Sequence, residues 1–212
     1  MRPERLVLIA GTGTDVGKTW VGGRVLADLG ARGVRVAARK PAQSFAPEEV
    51  GRTDADVLAA ATGETPEVVC PPSRWYRVPM APPMAAERLG LPRVAIAELV
   101  DELTWPDDCM VGLVETAGGV RSPLAHDGDT VDLAVTLGPD LVVLVADAGL
   151  GTLNAVRLSL DALSEVGAPC VVVLNRYDAD DELHERNREW LATRWGIDVL
   201  DVETLVDRIE TC

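Results

Sequence analysis

The chain has 212 residues, 47% apolar and 25% charged, the balance of a soluble globular protein able to bury the core of one domain. A formal net charge of −14 repels nucleic-acid backbones and anionic membranes, so binding to either is not expected. No apolar run approaches the roughly 18 residues that a membrane span needs, and the N-terminus leads straight into a strand-like segment, so the expected location is the cytoplasm.

In chain order, Leu6–Ala10 is a short, continuous apolar run of the kind found in strands buried on both faces. A glycine-rich loop follows, then a helical pattern over Lys18–Leu29 that places Val21, Val25 and Leu29 on one face and ends at Gly30. Val34–Ala38, Met110–Glu115, Leu141–Ala146 and Cys170–Leu174 read as further buried strands. Helices are predicted between them over Asp54–Ala61, Val94–Leu103, Leu153–Val166 and Asp181–Trp195. Alternating strands and helices predict right-handed βαβ units, a mostly parallel sheet flanked by helices on both faces, and one domain over residues 1–212.

Pro66–Pro83 holds six of the 14 prolines and reads as an ordered loop, with Trp75 and Tyr76 suited to covering a substrate. His126, in a turn, and His184, in an acidic helix, are expected to be solvated, while Trp190 and Trp195 should pack their helix. Cys70, Cys109, Cys170 and Cys212 lack metal-site spacing and are expected as free thiols.

Only two of the 20 basic residues are lysine, Lys18 and Lys40, and each stands just beyond a predicted strand. That edge is where open α/β sheets carry ligands. Lys18 closes Gly11-Thr-Gly-Thr-Asp-Val-Gly-Lys-Thr19, a strand–loop–helix phosphate cradle. In it the backbone of Gly13, Thr14, Asp15, Val16 and Gly17 would face phosphate oxygens. Lys18 would reach the β- and γ-phosphates, and the Thr19 hydroxyl a Mg²⁺ ion. The strict phosphate-loop spacing is off by one, with Thr12 where its first glycine belongs. A dinucleotide reading fails further, with Val16 in place of its third glycine and Arg39-Lys40 where an acid belongs. Glu115 ends a buried strand and needs a cation or donors there. Asp54 suits the same Mg²⁺ or, alternatively, a plain helix N-terminal charge.

Together with Lys40-Pro-Ala-Gln-Ser44, Asp54-Ala55, Glu115-Thr-Ala-Gly-Gly119 and Gly149-Leu-Gly-Thr-Leu-Asn154, the glycine loop resembles the dethiobiotin synthetases in motif and order over nearly the whole chain. The resemblance implies a single-domain P-loop NTPase fold and a homodimeric, ATP- and Mg²⁺-dependent enzyme. Such an enzyme carbamates 7,8-diaminopelargonic acid with CO₂, phosphorylates the carbamate and closes the anhydride to dethiobiotin. It implies Lys18 and Lys40, with Thr14, at the reacting groups, and Thr14, Lys40, Ser44 and Gly118 about the carbamate. Thr19, Asp54 and Glu115 would hold Mg²⁺, and Asn175 would read adenine. Gly151, Thr152, Leu153 and Asn154 would receive the substrate's distal carboxylate across the subunit interface. Two other readings stay open: a paralogue acting on another small substrate, and a nucleotide-switch ATPase of the partition type.

Overall fold

In the computed structural model, which describes residues 2–49 and 53–211, six parallel strands form one sheet. They are β1 (Arg5–Gly11), β2 (Val36–Arg39), β5 (Val111–Glu115), β6 (Leu141–Asp147), β7 (Cys170–Asn175) and β8 (Val199–Leu200). Their order is β2-β5-β1-β6-β7-β8. A small parallel pair, β3 (Gln43–Ser44) with β4 (Trp75–Tyr76), stands apart from it. The expected mostly parallel α/β architecture is the observed one. Cys212, expected as a thiol, lies outside the described residues, and Cys70, Cys109 and Cys170 are free.

Both faces of the sheet are buried, and the two-residue period of a strand sorts its side chains between them. Val7, Ile9, Val143 and Val145 enter one core with α1 (Lys18–Ala31) and α2 (Asp54–Thr62), beside the short α3 (Pro66–Val69). Leu6, Leu8, Ala10, Val142 and Leu144 enter the other, with Leu133 of α6 (Thr130–Leu137) and Val156 of α7 (Thr152–Leu163). Each fully buried aliphatic side chain of this kind stabilises the fold by about 1.5–3 kcal/mol relative to exposure.

The chain leaves β1 through α1 to β2 on one side, while β6 and β7 extend the sheet on the other. The crevice beyond the C-terminal ends of β1 and β5 is therefore the switch point of the topology, where ligands of such sheets sit. Along that edge β1, β2, β5, β6 and β7 end in Gly11, Arg39, Glu115, Asp147 and Asn175. Sharp helix starts keep that edge in order: Thr53 and Asp56 form a reciprocal capping box on α2, as Asp129 and Asp132 do on α6.

Several elements depart from the sequence reading. The proline-rich segment is not one long loop: it contains α3, a 3₁₀ turn, β4 and the start of α4 (Pro82–Arg88). The predicted helix near Val94 is the shorter α5 (Ile96–Asp101), and α8 (Glu182–Glu189) runs on into a π-helical turn, Trp190–Arg194. The C-terminal α9 (Val202–Thr211) packs Leu205, Val206 and Ile209 onto the sheet. Among the described residues, no helix is long and apolar enough to cross a membrane.

One glycine in β5 is dictated by packing. A Cβ on Gly112 would lie 2.5 Å from the Trp105 ring and 2.6 Å from Pro3 Cγ. Trp105 is held in turn by the Arg39 guanidinium, 4.9 Å from its ring centroid. Gly112→Val should therefore cost about 1–3 kcal/mol in urea denaturation, the range of an overpacked core, and an unchanged midpoint would contradict this packing.

Candidate active site

The loop between β1 and α1 is held from three sides. Thr12 donates its N–H to Val145 O at 3.0 Å, the Asn175 amide donates to Val16 O at 3.0 Å, and the Arg176 guanidinium donates to Asp15 O at 2.7 Å. Gly17 has φ +95°, and a Cβ there would meet Asn175 Nδ2 at 1.8 Å, so only glycine fits. Asp15 and Arg176 themselves sit in the left-handed region, at φ 58° and 56°. These are costly conformations that persist where surrounding contacts hold them.

Lys18 opens α1 and folds its ammonium back over the loop, donating to Gly13 O at 2.8 Å and Gly118 O at 2.9 Å. Gly11 leaves room for this, since a Cβ there would come within 2.9 Å of Lys18 Cδ. Burial, with Lys40 adding like-charge repulsion, lowers the Lys18 pKa to about 8.

Lys40, Asp54, Glu115 and Thr19 converge beside it. The Lys40 ammonium lies 2.6 Å from Asp54 Oδ2 and 2.6 Å from Glu115 Oε1. The Thr19 hydroxyl is 2.7 Å from Asp54 Oδ1 and 2.9 Å from Glu115 Oε1. Glu115 is 0% exposed and Lys40 1%, whereas Asp54 keeps part of its surface open. Burial opposes charge on all three groups. For Lys40 the two carboxylates outweigh it and hold the ammonium above its ordinary range. For Asp54, Lys40 outweighs it and holds the carboxyl low; for Glu115 burial prevails and pushes the carboxyl up. Asp54 is thus more than a helix-end charge.

The donor set fits a magnesium ion. No cluster of three or more His, Cys, Asp or Glu side chains suited to a metal occurs among the described residues. Two carboxylates and a hydroxyl at a phosphate loop nonetheless match how Mg²⁺ is held, with phosphates and water completing its shell. Glu115 Oε2, buried without a partner, is a further oxygen available there.

A cavity of about 830 Å³ opens over this cluster and takes in Thr14, Lys18, Lys40, Ser44, Asp54, Glu115 and Gly118. Its far wall is Pro79–Pro82, so the proline-rich segment does border the site, but not through the two aromatics. Tyr76 is buried against Ala42, Ala85 and Ala86, and Trp75 packs on the core and edge-on to Phe45. A second cavity, about 590 Å³, lies past Gly17 and is lined by Val173, Leu174, Asn175, Tyr177 and Val202. Gly151, Thr152, Leu153 and Asn154 at the start of α7 line neither cavity, and the Thr152 hydroxyl is buried.

His126 is not solvated as expected. Its side chain is 6% exposed, and Nδ1 accepts from Val94 N–H at 3.0 Å, pinning the loop before α5. His184 is likewise half-covered and accepts from Asp178 N–H at 3.1 Å. Trp190 and Trp195 pack edge to face, with Arg194 and Arg157 over their rings, and both keep exposed surface. Residues the sequence reading leaves unassigned also line the main cavity, notably Trp20, Gln43, Ser122 and Arg176. Arg176 had a signal in its place directly after Asn175; for the others only the fold reveals it.

A parallel sheet with this phosphate loop and its paired lysine defines a P-loop nucleoside-triphosphate-binding protein. Over residues 5–203 the chain matches the AAA domain family. It is 39% identical to the ATP-dependent dethiobiotin synthetase BioD of Rhodococcus jostii over 92% of this chain and 84% of that protein. The BioD of an Anaeromyxobacter species is 42% identical over 84% of this chain and 79% of its own length. The chain belongs to the dethiobiotin synthetase family, ATP-dependent cyclo-ligases that form C–N bonds. Among solved structures, a plasmid partition protein of Borrelia burgdorferi bound to AMPPNP aligns with TM-score 0.58 and 12% identity, covering 94% of this chain and 86% of that one. Chloroplast FtsY of Physcomitrella patens aligns at 0.53 and 17% over 99% of this chain, which spans 65% of its length. At such identities the likeness is one of fold.

The depressed Lys18 pKa yields a pH prediction. The unfolded chain holds this proton up to about pH 10.5 and the fold only to about 8, so the lysine's contribution to stability improves as pH rises between the two. A phosphate placed beside the ammonium would favour its protonated form. ATP binding near pH 8 should take up a fraction of a proton, and affinity should fall as pH rises further. Calorimetry in buffers of different ionisation enthalpy measures that uptake; its absence would contradict the assignment.

Proposed function

We propose that the chain is an active dethiobiotin synthetase, converting 7,8-diaminopelargonic acid, CO₂ and ATP to dethiobiotin, ADP and phosphate. The observation that carries this reading is the convergence of both lysines, Thr19 and two carboxylates on one cavity large enough for nucleotide phosphates and a small acceptor. Phosphoryl transfer asks little covalent chemistry of a protein and a great deal of positioned charge, which is what this cluster offers.

One amine of the diamine takes up CO₂ as a carbamate, a carbamate oxygen attacks the γ-phosphorus with loss of ADP, and the second amine closes the ring with loss of phosphate. The residues divide these tasks. Loop amides from Gly13 to Thr19 hold the β- and γ-phosphates, and Lys18 turns from the Gly13 and Gly118 carbonyls to the phosphate oxygens as charge builds there. Thr19, Asp54 and Glu115 would hold Mg²⁺, which neutralises phosphate charge when bound. Lys40 borders the same cavity as the Thr14 and Ser44 hydroxyls and the Gly118 backbone, and its ammonium would face the carbamate there.

Asn175 spends one amide N–H on Val16 and offers its carbonyl to the adenine amine in the second cavity. The α7 start, Gly151–Asn154, lies outside its own chain's cavity, which suits a role for its amides on the distal carboxylate in a partner's site. Leu150, 92% exposed beside it, is an apolar residue that such a homodimer would cover. We further propose a cytoplasmic enzyme that works without nucleic acid or membrane.

Purified protein with MgATP and bicarbonate should release ADP only when 7,8-diaminopelargonic acid is added, and the product should carry the mass of dethiobiotin. ATP turnover indifferent to the diamine would refute the reading. Lys18→Arg should lower turnover by about 100-fold or more, since the planar fork cannot replace a compact ammonium among loop carbonyls and phosphates.

A further inference from the structure

Among the described residues six buried side-chain polar atoms lack a hydrogen-bond partner, and three of them belong to residues lining the main cavity: Gln43 Nε2, Ser44 Oγ and Glu115 Oε2. Buried polar groups are rarely left unpaired, because each costs its full desolvation, so such atoms mark places where a ligand or ordered water completes the structure. Glu115 belongs to the cation cluster and Ser44 to the expected carbamate contacts. Gln43 has no assigned role.

Its orientation is set by the fold. Gln43 is 2% exposed and lies in β3, whose parallel pairing with β4 places it against Trp75. Its carbonyl Oε1 accepts from Ala55 N–H at 3.1 Å, one of the amides that the start of α2 leaves without an intrahelical partner. Since Ala55 N–H can only donate, Oε1 is the atom that meets it, and the opposite end of the amide must be the donor Nε2. The side chain therefore presents N–H groups, and no acceptor, on the side away from α2. Lys40, three residues earlier, and Ser44, the next residue, border the same cavity.

We infer that Gln43 is a further substrate-binding residue, its Nε2 donating to an anionic oxygen of the group that is phosphorylated beside Lys40. That group is a carbamate on the function proposed above, on which this inference rests. A locked donor suits an acceptor oxygen: it favours the carbamate over the ammonium form of the diamine, which offers only hydrogens. It also ties substrate recognition to the start of α2, because the amide that binds the oxygen is the one that holds Ala55, next to Asp54.

Two variants separate the donor from the brace. Gln43→Glu keeps an acceptor for Ala55 N–H and replaces the donor with a negative oxygen; Gln43→Met removes both. Each is compared with wild type for diamine-dependent turnover over a range of bicarbonate, for ATP binding by calorimetry, and for thermal midpoint. Both variants should raise the apparent KM for CO₂ about tenfold or more, the worth of one hydrogen bond to a charged oxygen, with ATP affinity within about twofold of wild type. A wild-type KM in Gln43→Glu, with loss confined to Gln43→Met, would reduce Gln43 to a helix brace and overturn the inference. Equal loss of ATP binding and turnover in both variants would overturn it too. Wild-type protein without diamine-dependent turnover would instead refute the proposed function, and this inference with it.

Discussion

A fully buried carboxylate at the end of a central strand is a demanding object: Glu115 has no exposed surface, and its charge is sustained only by what the fold brings to it. What arrives is the Lys40 ammonium at 2.6 Å and the Thr19 hydroxyl at 2.9 Å, with Asp54 closing the set through both. Removing one partner from a buried pair of this kind costs about 3–5 kcal/mol, because the remaining charge is left uncompensated. Four elements must therefore be in place together. Strand β5 supplies Glu115, the end of β2 leads into Lys40, α1 carries Thr19, and the capping box at Thr53 sets the start of α2 and Asp54. The sheet order makes this possible by inserting β5 between β1 and β2.

The phosphate loop next to this cluster is held under strain. Gly17 stands at φ +95° with Asn175 filling the space a side chain would need, and Asp15 and Arg176, both at positive φ, are joined by a hydrogen bond. Left-handed backbone of this sort costs about 1–3 kcal/mol per non-glycine residue and persists only where contacts over-determine it. The contacts here come from the end of β7, so the strand that borders the second cavity also shapes the loop. A nucleotide base seated at Asn175 would thereby act on the same loop that receives its phosphates.

Much of this was legible in the sequence, and the reasons are physical. Runs such as Leu141–Ala146 are buried on both sheet faces and so read as strands without ambiguity. The loop up to Thr19 is legible because close backbone approach demands glycine at set positions, and Glu115 because a charge ending a buried strand needs a partner; Asp54, by itself, reads as a plain helix-end charge. Short elements held only by tertiary contacts were not legible. β8 spans two residues, and α4 begins with two prolines inside a segment whose composition reads as loop. His126 looked like a turn residue, but its ring is covered because Val94 N–H, 32 positions away, uses its nitrogen. Lys40 is the instructive case. Its site was legible, but its partners were not, since the reach of its ammonium to Glu115, 75 residues on, exists only in the folded sheet.

Lys40 and a divalent cation would compete for Asp54 and Glu115, because the carboxylates that face the ammonium at 2.6 Å are the acids proposed to hold Mg²⁺. Paramagnetic titration with Mn²⁺, without nucleotide, tests it directly on wild type and Lys40→Met. Freed of the ammonium, the paired carboxylates should bind Mn²⁺ about tenfold or more tightly than in wild type, consistent with the loss of one competing charge. Equal or weaker Mn²⁺ affinity in a Lys40→Met protein that still folds would contradict the account.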